Sequence, residues 1–154
     1  MAGEPDEQQP EEPGRRTAAL TPPFLDTNVL VRYLTGDPAD MAARAGRLID
    51  SDSPFSLSGV VLAETAFVLE SVYRRARAEV VDALVALVQR ANVVPHGLSR
   101  ATLVEALLLC RPSRRVSYAD ALLWAEVRDS TPPVVYSFDL NFPESGIDLR
   151  DVDA

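Results

Sequence analysis

The alternation of hydrophobic and polar positions predicts short strands that are followed by amphipathic helices. Apolar residues recur at near-helical spacing from Val80 to Val88, which predicts a helix over 77–91. Similar patterns predict further helices over 27–36, 37–51, 58–75, 99–111 and 117–130. Short apolar runs predict strands at 23–26, 54–58, 92–95 and 133–138, with a last edge strand at 147–152.

Polar residues mark where several of these helices begin. Ser58, Ser99 and Ser117 each precede a helical pattern and are predicted to cap it, because a hydroxyl oxygen accepts from the free amides of the first turn. Asp37 is predicted to cap the second helix, with Pro38 at its first helical position.

Strands that alternate with helices predict an α/β fold, a three-layer α/β/α sandwich with a mostly parallel central sheet. The domain is predicted to cover residues 23–154. Residues 1–22 are rich in proline, glutamate and glutamine and have few large apolar side chains. They are therefore predicted to form a disordered acidic tail.

Composition removes several kinds of chemistry. All 15 basic residues are arginine, so a Schiff base and a lysine-containing phosphate loop are excluded. His96 is the only histidine, which excludes a histidine zinc cluster, and it is predicted to lie in a surface turn. Cys110 is the only cysteine and is predicted to be a packed thiol. Carboxylate, hydroxyl, amide and guanidinium groups remain, and carboxylates suit hard metal ions.

The charge and hydropathy of the chain restrict its expected location and its expected partners. The net charge of −8 argues against a general nucleic-acid binder, but residues 24–128 are neutral and the acidity belongs to the two ends of the chain. No apolar run reaches the roughly 18 residues of a membrane helix. The expected location is the cytoplasm.

Four acids, far apart in sequence, map to one edge of the predicted sheet. Asp26 ends the first strand, Glu64 lies in the second turn of its helix, Asp120 lies in the first turn of its helix, and Asp139 follows the fourth strand. Strand ends and the helix starts that follow them lie at the ligand-binding edge of a parallel sheet. The acids are therefore predicted to converge there.

Each acid also has a local interpretation. Asp26 could cap the first helix, although we favour a ligand role that leaves Thr27 or Asn28 as the cap. Asp120 could belong to a capping box, Asp139 could be a turn residue, and Glu64 could occupy an exposed position on its helix. Together, however, four carboxylates at one edge would repel one another by roughly 3 kcal/mol per pair at about 5 Å. Mg²⁺ or Mn²⁺ would relieve this repulsion and could activate water for phosphodiester hydrolysis.

Four segments resemble those of the PIN domain, particularly the VapC-type ribonuclease toxins of bacterial toxin–antitoxin pairs. They are "FLDTNVLVRYL", "LAETAFVL", "SYADALLWA" and "VVYSFDLNF", in this order, and the similarity spans roughly 23–150. The resemblance implies an endoribonuclease in which Asp26, Glu64, Asp120 and Asp139 hold Mg²⁺ or Mn²⁺. Supporting roles would fall to Thr27, Asn28, Ser137 and Asn141, with Asn141 standing where the family often has a further acid.

The same resemblance implies three partners: RNA, a second copy of the chain and a small VapB-like antitoxin. Arg111, Arg114 and Arg115 precede the helix that bears Asp120, and they could contact RNA phosphates. A second basic cluster comprises Arg74, Arg75 and Arg77.

Two other folds need residues that this chain lacks. A haloacid-dehalogenase-like phosphatase needs an acid where Asn28 stands. Such phosphatases commonly use a lysine and a receiver domain needs one, and this chain has none. The remaining alternative is a catalytically silent PIN-like scaffold that only binds RNA or protein.

Overall fold

The structure is a computed structural model that describes residues 20–151. Its helices in this part of the chain are Thr27–Thr35 (α1), Ala39–Ile49 (α2), Gly59–Ser71 (α3), Arg77–Val88 (α4), Arg100–Cys110 (α5) and Tyr118–Arg128 (α6). Its strands are Phe55–Leu57 (β1), Val93–Pro95 (β2), Val134–Tyr136 (β3) and Asp148–Arg150 (β4). None of these helices combines the length and the apolar character needed to cross a membrane.

The strands are short and pair in parallel. β1 pairs with β2, and β3 pairs with β4. The predicted first strand is reduced to one parallel bridge between Phe24 and Ser56, because Pro22 and Pro23 have no amide to donate and α1 begins at Thr27. The mixed α/β class is confirmed, whereas a three-layer sandwich around one central sheet stays a prediction.

The described chain is anchored from Pro22 onward. The Ser56 hydroxyl donates to the Pro22 carbonyl over 2.8 Å, and the Ser56 amide donates to the Pro23 carbonyl over 2.8 Å. Residues 1–19 of the predicted tail and residues 152–154 lie outside the described part of the chain.

Three of the predicted caps are confirmed, and one is wrong. The Ser58, Ser99 and Ser117 side chains each accept from an amide in the first turn of their helix. The predicted cap Asp37 is one residue too early, since Pro38 is extended and the helix starts at Ala39.

Helix α4 ends at Val88, three residues before its predicted end. The Arg100 guanidinium donates to the carbonyls of Val88 and Arg90, and it donates to the Val93 carbonyl over 2.6 Å. Arginine therefore satisfies the carbonyls that a helix end leaves without amide partners.

The core is formed where the apolar faces of the helices meet the strands. Trp124, Leu30, Ile49 and Leu62 are fully buried, and α4 alone buries Val80, Val81, Leu84, Leu87 and Val88. Cys110 lies in this core, and burial raises the pKa of its thiol to about 11, which confirms a packed thiol. His96 lies exposed just after β2, as predicted.

One arginine of the predicted basic clusters is mostly buried and joins several elements. The Arg77 Nε donates to the Cys110 carbonyl over 2.6 Å, and its Nη2 donates to the Val116 carbonyl over 2.7 Å. Its Nη1 pairs with Glu70 over 3.3 Å, and Tyr118 donates to the same carboxylate over 3.0 Å. This Glu70–Arg77–Tyr118 network links the ends of α3 and α5 to the starts of α4 and α6.

We expect Arg77→Ala to lower the free energy of unfolding by about 3–5 kcal/mol, because it leaves the mostly buried Glu70 without its nearer charge partner. Arg75→Ala, an exposed neighbour, is the matched control and should change that free energy by less than about 0.5 kcal/mol. Urea denaturation measures both. Equal effects of the two substitutions would show that the network does not stabilise the fold.

Candidate functional site

Two of the predicted acids lie next to each other at the start of α1. Asp26 is the N-cap of α1, and its Oδ2 accepts from the Asn28 amide over 3.2 Å. Thr27 is buried, and its hydroxyl donates to the Glu64 Oε2 over 2.6 Å. The expectation that Thr27 or Asn28 would cap the helix is wrong, because Asp26 itself has the extended backbone and the acceptor that a cap requires.

Glu64 is exposed, although it lies in an almost wholly apolar stretch of α3. Its helix packs Leu62, Thr65 and Ala66 inward, so the position of Glu64 faces away from that buried stripe. The mostly buried acid of α3 is instead Glu70, whose side chain is 12% exposed. Glu64 is therefore an accessible carboxylate whose orientation is fixed by the Thr27 hydroxyl.

Asp26, Thr27 and Glu64 line a cleft between α1 and α3, which we call the carboxylate cleft. It has a volume of about 230 Å³. Its remaining lining residues are Asn28, Val31, Arg32, Val68, Val72 and Tyr73. The cleft is thus acidic at the start of α1 and has one basic side chain, Arg32, among the residues that line it.

Asp120 lies in the first turn of α6. Its amide donates to the Ser117 hydroxyl oxygen over 3.0 Å, and the Ser117 hydroxyl donates to Asp120 Oδ2 over 2.5 Å. Ser117 is therefore confirmed as the cap, while Asp120 accepts from the Ser117 hydroxyl rather than from the Ser117 amide that a capping box would use. Ala119, the neighbour of Asp120, lines a shallow groove together with Glu64, so the first turn of α6 lies beside the α3 carboxylate.

Asp139 lies in the loop after β3, and its carboxylate shapes that loop. Its Oδ1 accepts from the Asn141 amide over 2.8 Å, which makes it the turn residue of the local interpretation. The Ser137 hydroxyl accepts from the Asp139 amide over 3.0 Å, so Ser137 positions the backbone of Asp139 rather than its carboxylate. The Asn141 Oδ1 accepts from Arg115 Nε over 2.9 Å, and this amide oxygen is therefore engaged with arginine.

The three loop arginines that were predicted as phosphate contacts differ in their surroundings. Arg111 forms two hydrogen bonds of 2.8 and 2.9 Å with Asp82, which lower the pKa of that carboxyl. Arg115 binds Asn141, and Arg114 is 80% exposed and 4.0 Å from Glu70. Arg111 and Arg115 therefore have guanidinium donors engaged within the protein, whereas the one ion pair of Arg114 among the described residues is its 4.0 Å contact with Glu70.

The structure brings Asp26 and Glu64 to one cleft and places the first turn of α6 beside it. Arg115 ties the loop before α6 to the loop of Asp139. Across residues 20–151, however, no three acidic, histidine or cysteine side chains lie close enough together to hold one metal ion. The convergence of all four acids therefore stays a prediction.

The donor set suits a hard divalent cation. Carboxylate and hydroxyl oxygens are the ligands that Mg²⁺ and Mn²⁺ prefer, and Asp26 and Glu64 are both exposed at the cleft. Glu64 and Asp120 lie on helices and Asp26 caps one, and helices are rigid supports for a ligand.

The molecule has an acidic cleft on an α/β scaffold with parallel strands, and the sequence match gives its family. The chain belongs to the PIN domain family, since the PIN domain model matches residues 24–146. No curated protein and no solved structure shows significant similarity to it. PIN domains are generally nucleases, so the fold is of a nuclease type.

Replacing Asp26 should separate its capping role from any role of its charge. Asn is as good an N-cap as Asp, so Asp26→Asn should keep the free energy of unfolding within about 0.5 kcal/mol. Asp26→Ala should lower the free energy of unfolding by about 1 kcal/mol, because the Asn28 amide loses its acceptor. Chemical denaturation of both variants checks this. If both substitutions lowered the free energy of unfolding equally, the charge of Asp26 rather than its capping hydrogen bond would be what stabilises α1.

Proposed function

We propose that this protein is a metal-dependent endoribonuclease that hydrolyses RNA phosphodiester bonds, and that it is the toxin of a VapBC-type toxin–antitoxin pair. The observation that carries the proposal is the contact between Thr27 and Glu64 beside Asp26. It joins the first two acids of the family resemblance in an open cleft. Membership of the PIN domain family supports hydrolysis of phosphodiester bonds as the reaction class.

In this proposal Asp26, Glu64, Asp120 and Asp139 hold Mg²⁺ or Mn²⁺. When bound, such an ion acidifies a water molecule and stabilises negative charge on a phosphate. The Thr27 hydroxyl donates to Glu64 and holds that carboxylate in one orientation. Ser117 does the same for Asp120, and the Asn141 amide does so for Asp139.

These orienting contacts matter because carboxylates at one cleft repel one another when no cation is bound. A carboxylate that accepts a hydrogen bond from a neighbouring group keeps one orientation, so less ordering is needed when it acts as a ligand. Outer contacts of this kind typically change metal affinity or activity 10–100-fold when they are removed.

A catalytically silent scaffold that binds RNA or protein is the second candidate. It is favoured by one observation: in the described part of the chain no three ligating side chains are gathered for a metal. In that case the Asp26, Asp120 and Asp139 carboxylates would serve only to cap helices and to close a turn.

The proposal includes a second copy of the chain and an antitoxin as partners. Val60 and Phe67 on α3 are 77% and 67% exposed, and Leu123 on α6 is 44% exposed. Val60 and Leu123 line the groove that Glu64 borders, so an apolar surface adjoins the site. Burying such side chains against a second copy would be favourable. Sedimentation equilibrium of the purified chain tests this, and a monomer at every concentration would contradict it.

We expect the purified chain to cut a mixed cellular RNA pool into discrete fragments with Mg²⁺ or Mn²⁺ and not with a chelator. Asp26→Asn and Asp139→Asn should each lower the cleavage rate by roughly 100-fold or more, because each removes a charged ligand. Thr27→Val should lower it by roughly 10–100-fold. Gel analysis of the fragments measures the rates, and the fragment ends identify the cleaved sequence.

Asp52→Asn is the matched control, because Asp52 is an exposed acid outside the carboxylate cleft. It should leave the cleavage rate unchanged. Added Mg²⁺ or Mn²⁺ should also raise the melting temperature, and Asp26→Asn should reduce that rise. Folded protein that neither cleaves RNA nor responds to either ion would favour the silent scaffold.

A further inference from the structure

Arg32 is the one basic residue among those that line the carboxylate cleft. It lies in the last turn of α1, and it also lines the adjacent groove between α1 and α2. It forms no ion pair with any residue of the described chain. A positive charge without a carboxylate partner, in a cleft that also holds Asp26 and Glu64, needs an explanation.

The guanidinium is held in place by two neutral acceptors. Its Nη1 donates to the Tyr73 hydroxyl over 2.9 Å and to the Asp37 carbonyl over 3.1 Å. Tyr73 follows α3 and Asp37 precedes α2, so two other segments fix the direction of the Arg32 side chain. An arginine that only had to be solvated would not need either contact.

Part of its donor capacity is unused. A guanidinium has five N–H donors, and Nη1 carries two of them. The Arg32 Nε is buried without a hydrogen-bond partner in residues 20–151, and Nη2 makes no hydrogen bond there. The buried Nε is enclosed by the protein, whereas the unpaired Nη2 is not buried, so Nη2 is the donor that remains for a ligand in the cleft.

Several other arginines have their charge or their donors engaged. Arg77 and Arg100 donate to buried carbonyls, and Arg111 forms a bidentate contact with Asp82. Arg115 binds Asn141. Position, fixed orientation and spare donors therefore single out Arg32 rather than the loop arginines that the sequence suggested.

We infer that Arg32 binds a phosphate group of the RNA strand in the carboxylate cleft, and that Tyr73 is its positioning residue. The planar guanidinium matches phosphate oxygens, and it can bring a negatively charged strand next to Asp26 and Glu64. The inference rests on the proposed function, since it assigns the part of that site that holds the substrate.

The first test uses inorganic phosphate as the probe and needs no cleavage. Burial slows exchange of the Arg32 Nε–H with water, so its NMR signal should be observable and can be assigned by its loss in Arg32→Lys. We expect this signal to shift and saturate as phosphate is added at constant ionic strength. The Nε–H of Arg90 is likewise buried without a hydrogen-bond partner and lies outside the carboxylate cleft, so it is the control and should not shift.

The second test measures binding of a short single-stranded RNA of mixed sequence, with Asp26→Asn as the background so that cleavage does not interfere. Arg32→Gln should weaken binding about 10–100-fold, the usual effect of losing a hydrogen bond to a charged group. It should also reduce the slope of log affinity against log salt by about 0.7, as expected for one lost phosphate contact. Arg47→Gln removes the same charge outside the cleft and should change affinity by less than about twofold.

Tyr73→Phe separates positioning from charge. It removes the hydroxyl that orients Arg32 and keeps the guanidinium, so RNA affinity should fall severalfold while the salt slope stays unchanged. Arg32→Lys should behave in the same way, because it keeps the charge and loses the planar arrangement of hydrogen-bond donors. Melting temperatures of all variants identify any that simply fail to fold.

The outcomes distinguish this inference from the proposed function. RNA that is cut with metal but bound equally by Arg32→Gln and Arg47→Gln would overturn the role of Arg32 and leave the nuclease intact. A saturating phosphate shift at Arg32, in a protein that neither binds nor cuts RNA, would overturn the nuclease and retain the phosphate site. Absence of both the shift and the loss of affinity would overturn the inference.

Discussion

The mostly buried Arg77 guanidinium is the constraint on which the arrangement of the helices depends. It binds the carbonyls of Cys110 and Val116 and the carboxylate of Glu70, and its charge lies 4.3 Å from the centre of the Tyr118 ring. These contacts fix the end of α5 and the start of α6 against the end of α3. Glu64 lies on α3 and the Asp120 capping pair lies at the start of α6, so a structural ion pair sets the spacing of two candidate ligands.

The arginines of this chain, which contains no lysine, differ in how many of their hydrogen-bond donors the protein engages. A planar guanidinium with several fixed donors can satisfy carbonyls from different segments at once, as Arg77 and Arg100 do, and an ammonium could not do so with the same directionality. Arg32 uses the same geometry with only part of its donors engaged. The difference between these structural arginines and Arg32, the proposed binding arginine, is the number of donors that the protein itself satisfies.

The capping role of Asp26 and its proposed role as a ligand are compatible, because both are served by an acid at the start of a helix. A cap accepts an amide with one carboxylate oxygen, as Asp26 does with Oδ2. The same position lies at the edge of the parallel strands where the helix that follows begins. Local stability and a place at the cleft therefore favour the same residue type, and Asp26 illustrates why the two interpretations could not be separated by pattern alone.

The sequence determined the local structure: the helices, the serine caps and the buried Cys110 follow from periodicity and from neighbours within four positions. It also placed Asp26 and Glu64 at one edge and pointed to the PIN domain family. Only the tertiary structure decided that Glu70 rather than Glu64 is mostly buried, that Arg77 is structural, and that Arg32 lines the cleft. The reason is physical: the Tyr118–Glu70 and Arg32–Tyr73 contacts join residues 48 and 41 positions apart, and no local pattern encodes which distant side chain will meet a given charge.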